Sequence, residues 1–174
     1  MEQDKHAHMP QAGETCRLAV GVFDAPHDLE AALAELSTNG FTAQEICLAG
    51  KRQVLNRVLR GPQQNLPQDK KLLTSQRAFS LHRLGIDGDD GEFVATSRGI
   101  LRTMLDKSNA PKSAAAPSAS FWPDLCHRMA LYMRRDAIVL LVSAKDATLQ
   151  NRSSRILLRH STQSVQTYEF TPTR

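Results

Sequence analysis

The amino-acid sequence predicts an α+β fold of the ferredoxin-like type, built around one four-stranded antiparallel sheet. Two similar strand-helix-strand units support this prediction, one over 17–50 and a fainter copy over 137–170. Apolar residues recur in both units at a constant offset, so that Leu36 matches Ile156, and such self-similarity indicates a duplicated βαβ unit. Two βαβ units most simply form a sheet with strand order 4-1-3-2, counted along the chain, and with both helices on one face.

The first unit contains a clear signal for each of its three elements. The apolar run LAVGVF is typical of a buried strand, after which Asp24 can cap a helix and Pro26 suits the first helical turn. The helix then places three leucines on one face, namely Leu29, Leu33 and Leu36. Gly40 favours the left-handed turn that ends a helix, and Phe41 can fold back onto the last turn. The run ICLA is expected to return as the second strand.

The second unit repeats this order of elements. The run AIVLLVSA predicts the third strand, and Asp146 can cap the helix that follows it. That helix is expected to carry three apolar residues, namely Leu149, Ile156 and Leu157. The closing run SVQTYEF alternates and carries Glu169, and a charged residue is typical of the edge of a sheet.

The third strand is apolar on both of its faces over 138–142. The helices of the two duplicated units can cover only one face of the sheet. The other face must contact either the helix predicted over 122–134 or the sheet of a second copy of the chain. We therefore expect a homodimer.

The segment 51–120 separates the two units and is predicted to be a helical insertion. KRQVLNRVLRG has apolar residues at helical spacing and stops at a Gly-Pro pair. A polar loop follows, then LGIDGDDGEF, which lacks the acidic spacing of a calcium loop and predicts a plain acidic turn. Thr96 or Ser97 can cap another short helix, and SNAPKSAAAPSAS is typical of a flexible linker. FWPDLCHRMALYMRRD then predicts a helix that Trp122 anchors.

Length and composition indicate one domain without a membrane span. The 174 residues, 41% of them hydrophobic, suffice for a single domain over 16–174 after a flexible leader over 1–15. No apolar run approaches the roughly 20 residues that span a bilayer, and the first residues lack a signal-peptide pattern, so we expect a cytoplasmic protein. Three cysteines form no C-x-x-C pair and predict free, buried thiols: Cys16, Cys47 and Cys126.

No pattern in the sequence indicates catalysis, a cofactor or a metal site. His6 and His8 lie in the polar leader, and two ligands do not make a metal site. Cys126 and His127 are adjacent, so on a helix their side chains diverge by about 100 degrees and cannot act on one substrate atom. His160 closes the last helix, where an imidazolium suits the helix dipole. Because a Gly-rich phosphate loop and a G-x-S-x-G motif are also missing from the sequence, we expect no enzyme.

The positive charge of the chain is concentrated on one predicted helix. The formal net charge is +4, and one face of the last helix carries Arg152, Arg155 and Arg159. The leading hypothesis is a non-catalytic interaction or regulatory module that acts through self-association or a protein partner. The alternative is a nucleic-acid-associated protein whose three arginines contact phosphates. Base stacking on the sheet is not favoured, because the central strands carry Phe23 as their single aromatic residue.

Two stretches resemble a known family. VGVFDAPHDLEAALAELSTNGF and the closing LLRHSTQSVQTYEF are similar to the bacterial general-stress-protein type of ferredoxin-like domain, the heat-induced stress protein family. This resemblance implies a bacterial, cytoplasmic, non-enzymatic protein tied to stress or envelope homeostasis, and it transfers no functional residues. Some similar proteins hold a glycine-rich membrane hairpin between the two halves, whereas this chain has polar helices and a Ser-Ala-Pro linker there.

Overall fold

The structure is a computed structural model that describes residues 15–60, 72, 81–84, 86, 92–96 and 121–170. The strands in this part of the chain are β1 (Cys16–Phe23), β2 (Ile46–Lys51), β3 (Leu81–Arg83), β4 (Phe93–Thr96), β5 (Ile138–Ala144) and β6 (Gln166–Phe170). The helices with described bounds are α1 (Pro26–Thr38), α2 (Arg52–Arg60), α3 (Phe121–Met133) and α4 (Ala147–His160). A short 3-10 helix, Ala43–Glu45, precedes β2. The fold is of the α+β class.

The strands form one antiparallel sheet in the order β3-β4-β2-β5-β1-β6. The longest pairing joins β1 to β5 and runs from Arg17 opposite Ala144 to Phe23 opposite Ile138. In the units β1-α1-β2 and β5-α4-β6, each helix connects two strands that are separated by one strand of the other unit. Strand β6 pairs with β1 and lies at the edge of the sheet, with Glu169 beside Arg17 at 3.2 Å.

The predicted four-stranded ferredoxin-like sheet is wrong, because the described residues form a sheet of six strands, in which the strands of the two units, β6-β1-β5-β2, are neighbours and two more strands follow β2. The segment 51–120, predicted as a helical insertion, contributes β3 and β4, which extend the sheet beyond β2. Strand β2 is almost entirely buried on both faces, so as an edge strand it would leave apolar surface and backbone groups exposed. Strand β4 covers that edge, and Thr96 Oγ1 accepts a hydrogen bond of 3.0 Å from the Leu48 N–H.

Helices cover both faces of the sheet. The helices of the two units, α1 and α4, share one face as predicted, and α3 covers the other face. We call the face under α1, α2 and α4 the front face, with a core that includes Leu29, Leu55 and Leu157. The opposite face, here the back face, lies under α3, whose Leu125 and Met129 are buried against the strands. Because α3 covers the back face, a second copy of the chain is not needed there, and the physical reason given for a homodimer is removed.

The end of α1 follows the sequence prediction closely. Gly40 has a positive φ of 86°. The N–H of Phe41 donates to the carbonyl of Leu36 at 3.1 Å, and the N–H of Gly40 donates to the carbonyl of Ser37 at 3.0 Å. This pair of bonds is a Schellman motif, so the predicted helix end is confirmed. The predicted cap at Asp24 is wrong, because Ala25 occupies the N-cap position and no side chain caps the helix there, whereas Pro26 lies in the first turn as predicted.

Two contacts hold α4 close to the sheet. A Cβ atom added to Gly21 of β1 would lie 3.4 Å from the Leu157 side chain, which is van der Waals distance, so α4 packs directly on the strand at this position. The buried side chain of Gln150 donates from Nε2 to the carbonyl oxygens of Leu18 and Tyr168, each at 3.2 Å. These two carbonyls belong to neighbouring strands, so one side chain ties α4 to both β1 and β6.

The remaining sequence predictions divide into two groups. The helices predicted around 52–60 and 121–134 are confirmed as α2 and α3. The leader, the acidic turn, the short helix after β4, the Ser-Ala-Pro linker and the anchoring side chain of Trp122 lie outside the described residues. In the described portion of the chain, every helix is too short or too polar to cross a bilayer.

Replacing Leu29 or Ile156 by alanine should lower the free energy of unfolding by about 2 to 5 kcal/mol, because each side chain is almost fully buried in the front core and its loss leaves a cavity. Urea unfolding followed by circular dichroism measures this change. The control is the exposed Arg155→Ala, which should change the stability by about 1 kcal/mol or less. Similar small changes in all three variants would contradict the packing described above.

Gly40→Ala should lower the free energy of unfolding by about 1 to 2 kcal/mol, because alanine is strained at a positive φ. The expected loss of stability comes from backbone strain alone, since a Cβ atom added at Gly40 meets no atom within 4 Å. Gly40→Asn serves as the control and should lose less, because asparagine adopts the left-handed conformation more readily. Equal losses in both variants, measured by thermal and urea unfolding, would argue against the Schellman assignment.

Candidate functional site

Three arginines of α4 lie along one cleft. Arg152, Arg155 and Arg159 line a cleft of about 400 Å³ between α4 and the end of α1. The other described residues around this arginine cleft are Asn39, Thr148, Asn151 and Ile156. The prediction that the three arginines share one helix face is therefore confirmed, whereas their contact with an anionic partner stays a prediction.

The orientation of α4 follows from the side that it buries. The Asp146 carboxylate accepts a hydrogen bond of 2.8 Å from the Leu149 N–H, so the predicted N-cap is confirmed. The buried side of the helix consists of Gln150, Ser153, Ile156 and Leu157. Because this side faces the sheet, the arginines must point away from it, and all three are exposed.

One acidic side chain modifies the charge at one end of the cleft. Glu35 of α1 contacts Arg159 Nη1 through Oε1 at 2.5 Å and His160 Nε2 through Oε2 at 2.7 Å. The Glu35 side chain is 25% exposed and that of Arg159 is 62% exposed. Within the described residues, Arg152 and Arg155 form no ion pair. The middle of the cleft is therefore more positive than its Glu35 end.

The lining of the cleft is suited to holding an anion. Each guanidinium presents several N–H donors in a planar fork, which matches carboxylate and phosphate oxygens. The Asn39 and Asn151 amides and the Thr148 hydroxyl add neutral donors at the same opening. Among the described lining residues there is no Asp, Glu, His or Cys, the usual groups for transferring a proton or attacking a substrate.

The sequence pointed to the arginines but missed their neighbours. Thr148 and Asn151 lie four residues before Arg152 and Arg155, so helical periodicity alone could have found them. Asn39 and Glu35 come from the other half of the chain, and they reach the cleft because α1 packs beside α4 on the front face. No local pattern in the sequence indicates that proximity.

The other candidate residues have structural partners or exposed positions. His160, predicted to favour the dipole at the end of α4, lies in the last turn and contacts Glu35. On α3, His127 is exposed and Cys126 is half-buried, so the two side chains lie in different surroundings, as expected for adjacent residues of a helix. Burial raises the pKa of the Cys126 thiol to about 12 and raises the pKa of Cys47 still further. Neither thiol is therefore activated as a nucleophile.

Metal ligation receives no support from the described side chains. In the ranges that the structure covers, no group of three or more His, Cys, Asp or Glu residues is placed to hold a metal ion. His6 and His8 lie outside those ranges.

Comparison of this chain with protein-family models, with curated proteins and with solved structures found no match. The resemblance to a stress-protein family stays a prediction from the two stretches of sequence that carry it. The arginine cleft must consequently be interpreted from its own chemistry.

Cys126 and Cys47 should react with Ellman's reagent about a thousandfold more slowly in the folded protein than in the unfolded chain at about pH 8, because their raised pKa values leave almost no thiolate. Absorbance of the released thiolate measures the rate. The Cys126→Ser variant separates the contribution of this thiol from those of Cys47 and Cys16, and the protein in guanidinium is the control. A fast phase that disappears in Cys126→Ser would show that this thiol is accessible and reactive.

Proposed function

We propose that this chain is a non-catalytic binding module that holds a negatively charged partner in the arginine cleft. The observation that carries the proposal is the pair Arg152 and Arg155, two exposed guanidinium groups that share one concave surface without an acidic partner among the described residues. Like charges held side by side repel each other, and an anion between them removes that repulsion.

The rest of the cleft supports binding of an anion. The neutral donors of Asn39, Thr148 and Asn151 can orient anionic oxygens without adding charge. The volume of about 400 Å³ lies within the range of ordinary ligand sites. The excess of basic side chains, with a formal net charge of +4, also attracts anions at long range.

This proposal places recognition on the front helices. Because α3 already covers the back face, self-association through the sheet, as in the predicted homodimer, is less favoured than binding of a separate partner. A stress-related role and a cytoplasmic setting stay predictions from the sequence.

The Arg152→Ala/Arg155→Ala variant should elute from a heparin column at a clearly lower salt concentration than the wild type, because two cleft cations are lost. The matched control is Arg134→Ala/Arg135→Ala, which removes the same charge from exposed residues just beyond α3. The control variant should elute at a salt concentration close to that of the wild type. If both variants elute at the same salt concentration, retention follows net charge and the proposal is wrong.

A further inference from the structure

We propose that the arginine cleft binds the phosphate backbone of a nucleic acid without reading its base sequence, and that Glu35 occupies Arg159 until a phosphate displaces it. The inference rests on the proposed function and names the class of partner. Three features of the described residues favour a nucleic acid: the spacing of the arginines, the scarcity of apolar lining and the position of Glu35.

The arginines are spaced for a repeating anion. Arg152, Arg155 and Arg159 rise along α4 at about 1.5 Å per residue and so span about 10.5 Å of the helix axis. Measured along the axis of a duplex, one strand carries a phosphate about every 3.4 Å, so this span corresponds to at most about three phosphates of one strand. Phosphate contacts are made mainly by arginine and lysine, with help from side chains such as asparagine and threonine, and both of these neutral types line the cleft.

The cleft lacks the anchor that an acidic protein partner needs. Protein interfaces draw most of their affinity from a few side chains that lie in well-packed pockets from which water is excluded. Ile156 is the one apolar residue among the described lining residues, and its side chain is 1% exposed. None of those lining residues is aromatic, so a base has no aromatic side chain on which to stack. Charge and hydrogen bonding therefore contribute most of the binding free energy in the cleft, as expected for binding that does not depend on base sequence.

Glu35 acts as an internal competitor for the anion. Its carboxylate holds the Arg159 guanidinium and the His160 ring from the α1 side of the cleft. A phosphate that binds Arg159 must replace or share this contact, whereas Arg152 and Arg155 are open to phosphate from the start. The wild type should thus neutralise about two phosphates through the cleft, and removal of the Glu35 charge should raise this number to about three.

Fluorescence anisotropy with a labelled DNA duplex of about 20 base pairs tests the inference, since affinity falls with salt at a slope of about 0.9 for each neutralised phosphate. When the salt concentration rises from about 50 to 200 mM, the affinity of the wild type should fall about tenfold, because two phosphates are neutralised in the cleft. The affinity of Glu35→Gln should fall about fortyfold, because three are neutralised. At the lower salt concentration, Glu35→Gln should bind more tightly than the wild type. Arg152→Ala/Arg155→Ala should bind at least about tenfold more weakly and lose most of the salt dependence.

Matched controls separate these effects from net charge and from folding. Asp124→Asn changes the charge as Glu35→Gln does but lies on α3 at the back face, and it should leave the salt slope unchanged. Arg134→Ala/Arg135→Ala should likewise retain the wild-type slope. Thermal unfolding of every variant verifies that it is folded. If Glu35→Gln is unstable, the Arg152→Ala/Arg155→Ala variant, which changes exposed residues only, still tests the inference.

Two further probes decide the class of partner. A second duplex of unrelated sequence should bind within about threefold of the first, because phosphate contacts carry no sequence information. Poly-glutamate of equal charge should bind more weakly than DNA. If poly-glutamate binds as tightly and depends on Arg152 and Arg155, the nucleic-acid inference is overturned while the anion-binding function stands. If neither polymer depends on these arginines, both proposals are wrong.

Discussion

The burial of β5 on both of its faces is the constraint on which the rest of the structure depends. Ile138 and Leu140 face the front core, whereas Val139 and Leu141 face the back core, and all four are almost inaccessible to water. A strand of this kind needs apolar layers on both sides and a neighbouring strand along each edge. The helices α1 and α4 provide the front layer, α3 provides the back layer, and β1 and β2 flank the strand.

The position of the arginine cleft is a by-product of this packing. Helix α4 must turn Ile156 and Leu157 toward the sheet, so the opposite side of the helix, with its arginines, faces solvent. The packing of α1 against α4 brings Glu35 beside Arg159. The Glu35–Arg159 ion pair is partly open to solvent, and ion pairs at the surface contribute about 0 to 1 kcal/mol, far less than the buried leucines of α1 and α4 in the front core. Glu35 can therefore release Arg159 without separating α1 from α4.

The sequence predictions that the structure confirms rest on local patterns, which repeat within a few residues. The leucine spacing in α1, the cap at Asp146 and the turn at Gly40 are each set by neighbours within a few residues. The strands β3 and β4 were missed because runs of three and four residues are too short to show a period. Their pairing with β2 depends on contacts between residues that lie far apart in the chain, such as Leu48 with Thr96.

The sequence by itself determined which side of each long helix is apolar, where α1 ends, and that Arg152, Arg155 and Arg159 share one face. These properties follow from backbone geometry, which repeats every few residues. Only the tertiary structure decided that α3 covers the back face, that β4 protects the edge of β2, and that Glu35 meets Arg159. These are contacts between distant segments, and they are selected by the need to bury apolar surface on every side of the sheet, which no local pattern records.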